Sequence, residues 1–247
     1  MPALGSSPID DKLQGVPRVL ITGFGPFRGL ATNPSWMAVK QLHNQVINAG
    51  TTQRRIHITA LEVPVIYETV LKLVPALHAR PPILPEYAEI DSLPPPPDGY
   101  DLIIHVGLGG THVLRLEAQA HKHGYTLADI TGKPGPLIDG ENTPEKRGFD
   151  KGYESFGDIL RTNVAVEELV GDLQKEGIAC FTSYDPGRYL CDFIYYGSMA
   201  EARRAAGSEV PRPVLFLHVS GVGQPTTTEE VVVGLVRITA QVLRIMI

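Results

Sequence analysis

"RVLITGFGPFRGLATNPSWMAVKQLHN", Arg18 to Asn44, decides the fold. It starts as a short apolar run, passes through a glycine-rich loop and continues with helical periodicity. An apolar run of this length bounded by glycine reads as a buried strand. Asn33 suits a helix N-cap, and Pro34 suits the first helical position, where its missing N–H costs nothing. Strand, loop and helix in succession are the repeating module of an α/β protein.

The same alternation continues outward from this unit. "RIHITALEVPV" (55–65) reads as a second strand, and "IYETVLKLVPALHAR" (66–80) as a helix that Pro75 kinks or ends. "DLIIHVGLGG" (101–110) is a third buried strand that also ends in glycine. From Thr111 to Gly148 the periodicity weakens, and irregular loops with room for a short hairpin are expected. "TNVAVEELVGDLQKEG" (162–177) is an amphipathic helix closed by Gly177, followed by the strand "IACFTSY" (178–184). "DFIYYGSMAEARRAA" (192–206) is a helix, "PVLFLHVS" (213–220) a strand, and the C-terminal stretch from Glu229 a last helix. Strands alternating with helices imply a mainly parallel sheet covered on both faces.

The expected organisation is one α/β domain over 18–247 behind a flexible N-terminal extension, residues 1–17. The proline-dense stretch around 81–100 reads as a surface insertion within that domain. The chain of 247 residues carries a net charge of −5, against the basic stripe of a nucleic-acid binder. Its two cysteines make neither a disulfide framework nor a CxxC zinc site. No signal peptide is evident, and Arg237, Gln241 and Arg244 interrupt the C-terminal apolar run, so a membrane span is not expected. The cytosol is the expected compartment.

Ligands of such sheets sit beyond the carboxyl ends of the strands. Four segments are expected to converge there: "GFGPF", "GLGG", "DPGRYLC" and the strand end carrying His218. "GFGPFRG" is not a Walker loop, because it lacks Gly-Lys-Ser/Thr, and Pro26 spoils a dinucleotide fingerprint. Phe24 and Phe27, in a rigid Gly-Pro frame, either present rings to a small flat ligand or cap the core. "HKHGY" (121–125) has too few further ligands for zinc, so its histidines read as solvated or hydrogen-bonded.

Of the two cysteines, Cys180 lies inside a strand and fits a buried apolar role. Cys191 instead follows a turn and precedes a helix, whose terminal N–H groups would favour a thiolate and stabilise an oxyanion. A thiolate nucleophile needs a histidine and an orienting acid. His218 is the best placed of eight histidines, His105 is its rival, and Glu117 is the candidate carboxylate in the run that follows the third strand.

"ITGFGPFRGLATNPSW", "VGLGGTHVLRLEAQAHKHGY", "DPGRYLCDFIYYGS" and "FLHV", in this order, resemble the type I pyroglutamyl-peptidases, and "GRYLCD" resembles their eukaryotic branch. The resemblance runs from about Arg18 to the C-terminal helix. It implies a single-domain α/β/α sandwich and a cytosolic cysteine peptidase that removes N-terminal pyroglutamate from small peptides without metal or cofactor. Carried over by position, the nucleophile falls on Cys191, the histidine on His218 and the acid on Glu117. The rings sandwiching the lactam fall on Phe24 and Phe27, with Tyr189 as a third aromatic wall. Ser220 departs from the proline that family members tend to carry after the histidine. An inactive homologue that binds lactam-bearing peptides is the alternative, and oligomeric state does not transfer.

Overall fold

The computed structural model describes residues 15–27, 29–49, 54–88, 93–110, 113–138, 146–221 and 226–246. The expected N-terminal extension lies outside the described residues up to position 14. A seven-stranded sheet runs in the order β2 (Val46–Ala49), β3 (Arg54–Val63), β1 (Arg18–Phe24), β4 (Leu102–Leu108), β9 (Val214–Val219), β5 (Leu114–Glu117) and β8 (Cys180–Ser183). The four central strands β3, β1, β4 and β9 are mutually parallel. Apart from this sheet, β6 (Gln119–His121) and β7 (Ile159–Arg161) form an antiparallel pair.

Helices cover both faces, as strands apolar on both sides require. α1 (Pro34–Val39), α3 (Val166–Lys175) and α5 (Thr228–Met246) pack on one face with Ile21, Ile104 and Leu217. α2 (Tyr67–Leu77) and α4 (Leu190–Ala206) pack on the other with Leu20, Ile103 and Phe216. The result is a single-domain α/β/α sandwich. Each fully buried Leu, Ile or Phe contributes roughly 1.5–3 kcal/mol, so these two layers carry most of the stability.

Local chemistry accounts for the helix starts. Asn33 caps α1, its Oδ1 accepting from the Ser35 N–H at 3.1 Å, and Pro34 follows as expected. α5 starts in a capping box in which Thr227 and Glu230 exchange side-chain-to-backbone bonds of 2.7 and 3.2 Å. Pro75 lies inside α2, which stops two residues later at Leu77. Among the described residues no helix is long and apolar enough to cross a membrane. Residues 81–88 and 93–100 of the proline-dense stretch contain neither helix nor strand, while Leu84 and Ala88 pack against the core.

The seven-stranded sheet differs from the sequence reading in three ways. The stretch from Thr111 to Gly148 holds a strand of the central sheet, β5, and its "LRLE" was unreadable because two of its four residues are charged. β2 is an edge strand that the sequence reading did not include. β8 runs parallel to β5, and β5 runs antiparallel to β9, so β8 opposes the four central strands. "DPGRYLC" therefore does not leave a carboxyl end shared with β1, β4 and β9. It turns back from the reversed β8 to reach that edge from outside.

Candidate active site

β4, β5 and β9 carry the site on the face that α4 covers. Residues opposite one another in a sheet, or two apart in a strand, share a face. Gly107 is in register with His218, and His218 with Arg115; Glu117 is opposite Phe216. Arg115, Glu117, His218 and Phe216 consequently line one face. The His218 Nδ1 lies 2.7 Å from Glu117 Oε1, with both side chains almost wholly buried. Tyr195 of α4 donates to the Glu117 carbonyl at 2.8 Å and ties the strand to the helix above.

α4 brings Cys191 onto this face. A Cβ added at Gly107 would lie 2.8 Å from Cys191 Sγ and 2.7 Å from Phe216 Cζ. Only glycine lets the sulfur settle there, over the residue in register with His218. At Gly109 an added Cβ would lie 2.9 Å from the His218 Cβ, so the "GLGG" loop makes room for both groups. The helix begins at Leu190, two residues earlier than read from sequence, and Cys191 sits in its first turn. Its first backbone bond is Phe193 N–H to the Tyr189 carbonyl at 3.0 Å, and Tyr189 provides no side-chain cap. Asp192 anchors the helix start by accepting from the His121 N–H at 2.9 Å, with His121 Nδ1 3.2 Å from its second oxygen.

Electrostatics correct one expectation. Burial, with smaller contributions from Asp192 and Glu117, pushes the Cys191 thiol up to about 12. The helix terminus contributes about 0.3–1 kcal/mol toward the thiolate, and taking a thiolate out of water costs more. Burial also lowers His218, against the opposing pull of Glu117. Both directions favour a neutral thiol beside a neutral imidazole at rest.

The aromatic residues form a second group. The Phe27 ring lies 5.4 Å from that of Tyr189, and both pack with Cys191 against the same apolar cluster. Phe24, 4% exposed, belongs to the interior of that cluster, and its N–H donates to Ser35 Oγ at 3.0 Å. Asn33 donates to the Gly25 carbonyl at 3.1 Å, holding the loop between the two phenylalanines. Ser220 is buried, its hydroxyl 3.4 Å from the Thr226 carbonyl.

Two nearby residues escaped the sequence reading. Tyr67 stands edge-on to Tyr189 at 6.0 Å, and its buried hydroxyl has no hydrogen-bond partner among the described residues. Burial pushes that hydroxyl well above its ordinary range, so it remains a donor. Arg115 places Nε 2.8 Å from Glu117 Oε1 and Nη2 3.0 Å from His218 Nδ1. Its spacing of two from Glu117 on a strand is the signal that could have found it. The rival His105 is fully buried, with Nδ1 2.8 Å from Thr22 Oγ1. His121 is hydrogen-bonded to Asp192, and no group of three or more metal-ligating side chains occurs among the described residues.

Comparison with known proteins places this chain in a lineage. A family model described as pyroglutamyl peptidase matches residues 17–79. The rat protein pyroglutamyl-peptidase 1 is 30% identical over 86% of this chain and 83% of its own length, and the human one is 29% identical over the same shares. Among solved structures, pyroglutamyl peptidase I from Bacillus amyloliquefaciens superimposes with a TM-score of 0.68 at 22% identity, covering 92% of this chain and 97% of that one. A mutant pyrrolidone carboxyl peptidase from Pyrococcus furiosus gives 0.68 at 20% identity, covering 93% and 100%. The fold is thus shared across distant relatives, and on the sequence match along most of both chains this protein belongs to the pyroglutamyl peptidase family.

Proposed function

We propose that this chain is a cysteine peptidase of the omega type that removes an N-terminal pyroglutamyl residue from small peptides in the cytosol. Cys191 is its nucleophile, His218 its acid–base and Glu117 its orienting acid. The observation that carries the reading is the seating of Cys191 Sγ over Gly107, beside a His218–Glu117 pair at 2.7 Å. Family membership supplies the substrate class: a lactam in place of a free α-amine.

Pyroglutamate is small, flat and uncharged, so an apolar slot with a few polar contacts suits it. Phe27 and Tyr189 wall the slot, Phe24 backs it, and the Tyr67 hydroxyl is available to the lactam carbonyl. His218 takes the thiol proton on Nε2, the nitrogen facing away from Glu117, as Sγ attacks the pyroglutamyl carbonyl. Burial makes the charged pair costly at rest, so the proton moves as the C–S bond forms. The carbonyl electrons collect on oxygen, where the Cys191 N–H in the first turn of α4 is free of an intrahelical partner. Collapse expels the peptide amine, which takes the proton from His218 and leaves a thioester. Water then attacks with His218 as base, and pyroglutamate leaves as Sγ regains its proton. Each proton and electron pair is carried by the chain's own residues and water.

The decisive experiment compares wild type with Cys191→Ala and Cys191→Ser on a pyroglutamyl-coumarin substrate. Wild type should release coumarin and lose that activity to iodoacetamide, and both variants should fall by about 10⁴-fold or more. Full activity in Cys191→Ala would sink the assignment. Thermal stabilisation by the ligand without turnover in wild type would favour the binding-only alternative.

A further inference from the structure

Arg115 lies inside the candidate triad with no role in the steps above. Its Nε is 2.8 Å from Glu117 Oε1, and its Nη2 is 3.0 Å from the same His218 nitrogen, Nδ1, that stands 2.7 Å from that oxygen. These contacts make incompatible demands on one proton. If Nδ1 carries hydrogen, it donates to Glu117 and faces an Arg115 N–H donor at close range. If Nδ1 has its lone pair, it accepts from Arg115, and the ring's hydrogen sits on Nε2. In the second form Nε2 cannot take a proton from Cys191.

We propose that Arg115 is a positioning residue that selects the tautomer of His218. Bridging Glu117 Oε1 and His218 Nδ1 holds the imidazole in the idle Nε2–H form, and withdrawing from Nδ1 releases the Nδ1–H form that can act as base. The setting allows this movement. The Arg115 side chain is 21% exposed, whereas Glu117 is fully buried, so the guanidinium can turn outward and the carboxylate cannot follow. Glu117 Oε2 is buried without a hydrogen-bond partner among the described residues, so all the described side-chain contacts compete for Oε1.

The charged and titratable groups facing His218 among the described residues are few. β5 provides Glu117 and Arg115, α4 provides Cys191 and, behind it, Asp192, and β4 provides the buried His105 one rung away. Of these only Arg115 is a cation beside Nδ1. It opposes a charged imidazole, while Glu117 favours one.

The test is nitrogen-15 NMR of the His218 ring in wild type, Arg115→Met and Arg115→Lys, assigned by the signal lost in His218→Gln. Wild type should show the neutral ring exchanging between both tautomers. Arg115→Met should show Nδ1–H alone, with the midpoint for imidazolium formation raised by roughly one pH unit. A lysine ammonium on Glu117 keeps the charge but cannot span both atoms as the planar fork does. Arg115→Lys should therefore show the tautomer change with its midpoint near that of wild type. If Arg115→Met does not fold, the tautomer in Arg115→Lys decides alone. Tautomers unchanged from wild type in the folded variants would overturn the proposal, whereas a merely structural arginine would lower Tm and leave them as they are. The proposal rests on the peptidase reading for its meaning, but the spectra need no turnover. An inactive wild type with an Arg115-dependent tautomer would sink that reading and leave this one standing.

Discussion

His105 and His218 lie on neighbouring parallel strands and on the same face, one rung apart: His105 is opposite Phe216, and His218 is opposite Gly107. Both are buried. Around His105 the rung is closed. Thr22 Oγ1 takes its Nδ1 at 2.8 Å, and the His78–Ser198 bond of 2.7 Å links α2 to α4 above. Around His218 the rung is open, because Gly107 leaves space for a sulfur and Glu117 provides a carboxylate at 2.7 Å. Two residues of strand length separate a structural imidazole from a chemical one. The difference lies in the neighbours, since burial lowers both rings.

The largest test of this contrast replaces each ring in turn. His218→Ala should lower kcat by about 10³–10⁴-fold, the usual contribution of an acid–base group acting on a nucleophile, with Tm near that of wild type. His105→Ala should do the reverse, losing about 2–4 kcal/mol to the cavity and the unpartnered Thr22 while the folded fraction stays active. Steady-state kinetics beside thermal melts separate the two. Equal losses of kcat would erase the distinction between the rungs.

Acid should find the closed rung next. Burial lowers His105 to about 3 and His78 to about 4, against 6.5 when unfolded. Between 6.5 and about 4 the unfolded chain therefore binds more protons than the folded one, so stability must fall as pH drops through that window. It should be unaffected by these groups above it. The first of the pair to be protonated should cost about 3 kcal/mol. Urea midpoints from pH 7.5 to 4 give the slope, and His105→Phe should flatten it. An unchanged slope would mean that other groups set the acid limit.

Gly107→Ala should convert the open rung toward the closed one. Its Cβ would press on Cys191 Sγ and the Phe216 ring, and a displacement of about 1 Å in a reacting atom costs on the order of 10²-fold. The loss should appear in kcat and in the rate of iodoacetamide labelling together. A drop in Tm with normal kcat would show that Phe216 yields and the sulfur does not.

The legibility of the fold followed the same division between apolar and polar neighbours. β1, β4 and β9 are continuous buried runs, and burial on both faces leaves such runs in the sequence. The α1 start was legible because Asn33 and Pro34 act locally. β5 was not, because Arg115 and Glu117 face the site and cancel one another's charge there. The alternation in Leu114–Glu117 is only four residues long, too short to stand out from the loops around it. The direction of β8 was hidden for a related reason: a four-residue strand records its burial but not its partner's orientation. Cys191, His218 and Glu117 could be singled out as candidates, yet nothing in their spacing showed that a glycine would bring them to one place.

The two cysteines offer the smallest test and the cleanest one. Burial raises both thiols, Cys191 to about 12 and Cys180 above its ordinary value, so resting acidity cannot tell them apart. Cys180 has the Val170 carbonyl at 3.9 Å from its sulfur, whereas the Cys191 sulfur sits over Gly107, in the same rung as the His218 imidazole. Cys180→Ala should cost about 1 kcal/mol of stability, in keeping with a small buried side chain, and leave kcat unchanged. Iodoacetamide should label the native chain at Cys191, and His218→Ala should slow that labelling while leaving Cys180 as unreactive as before. Labelling of Cys191 that ignores His218 would mean that the helix start alone activates the sulfur, and the contrast between the two rungs would then have nothing to do with its reactivity.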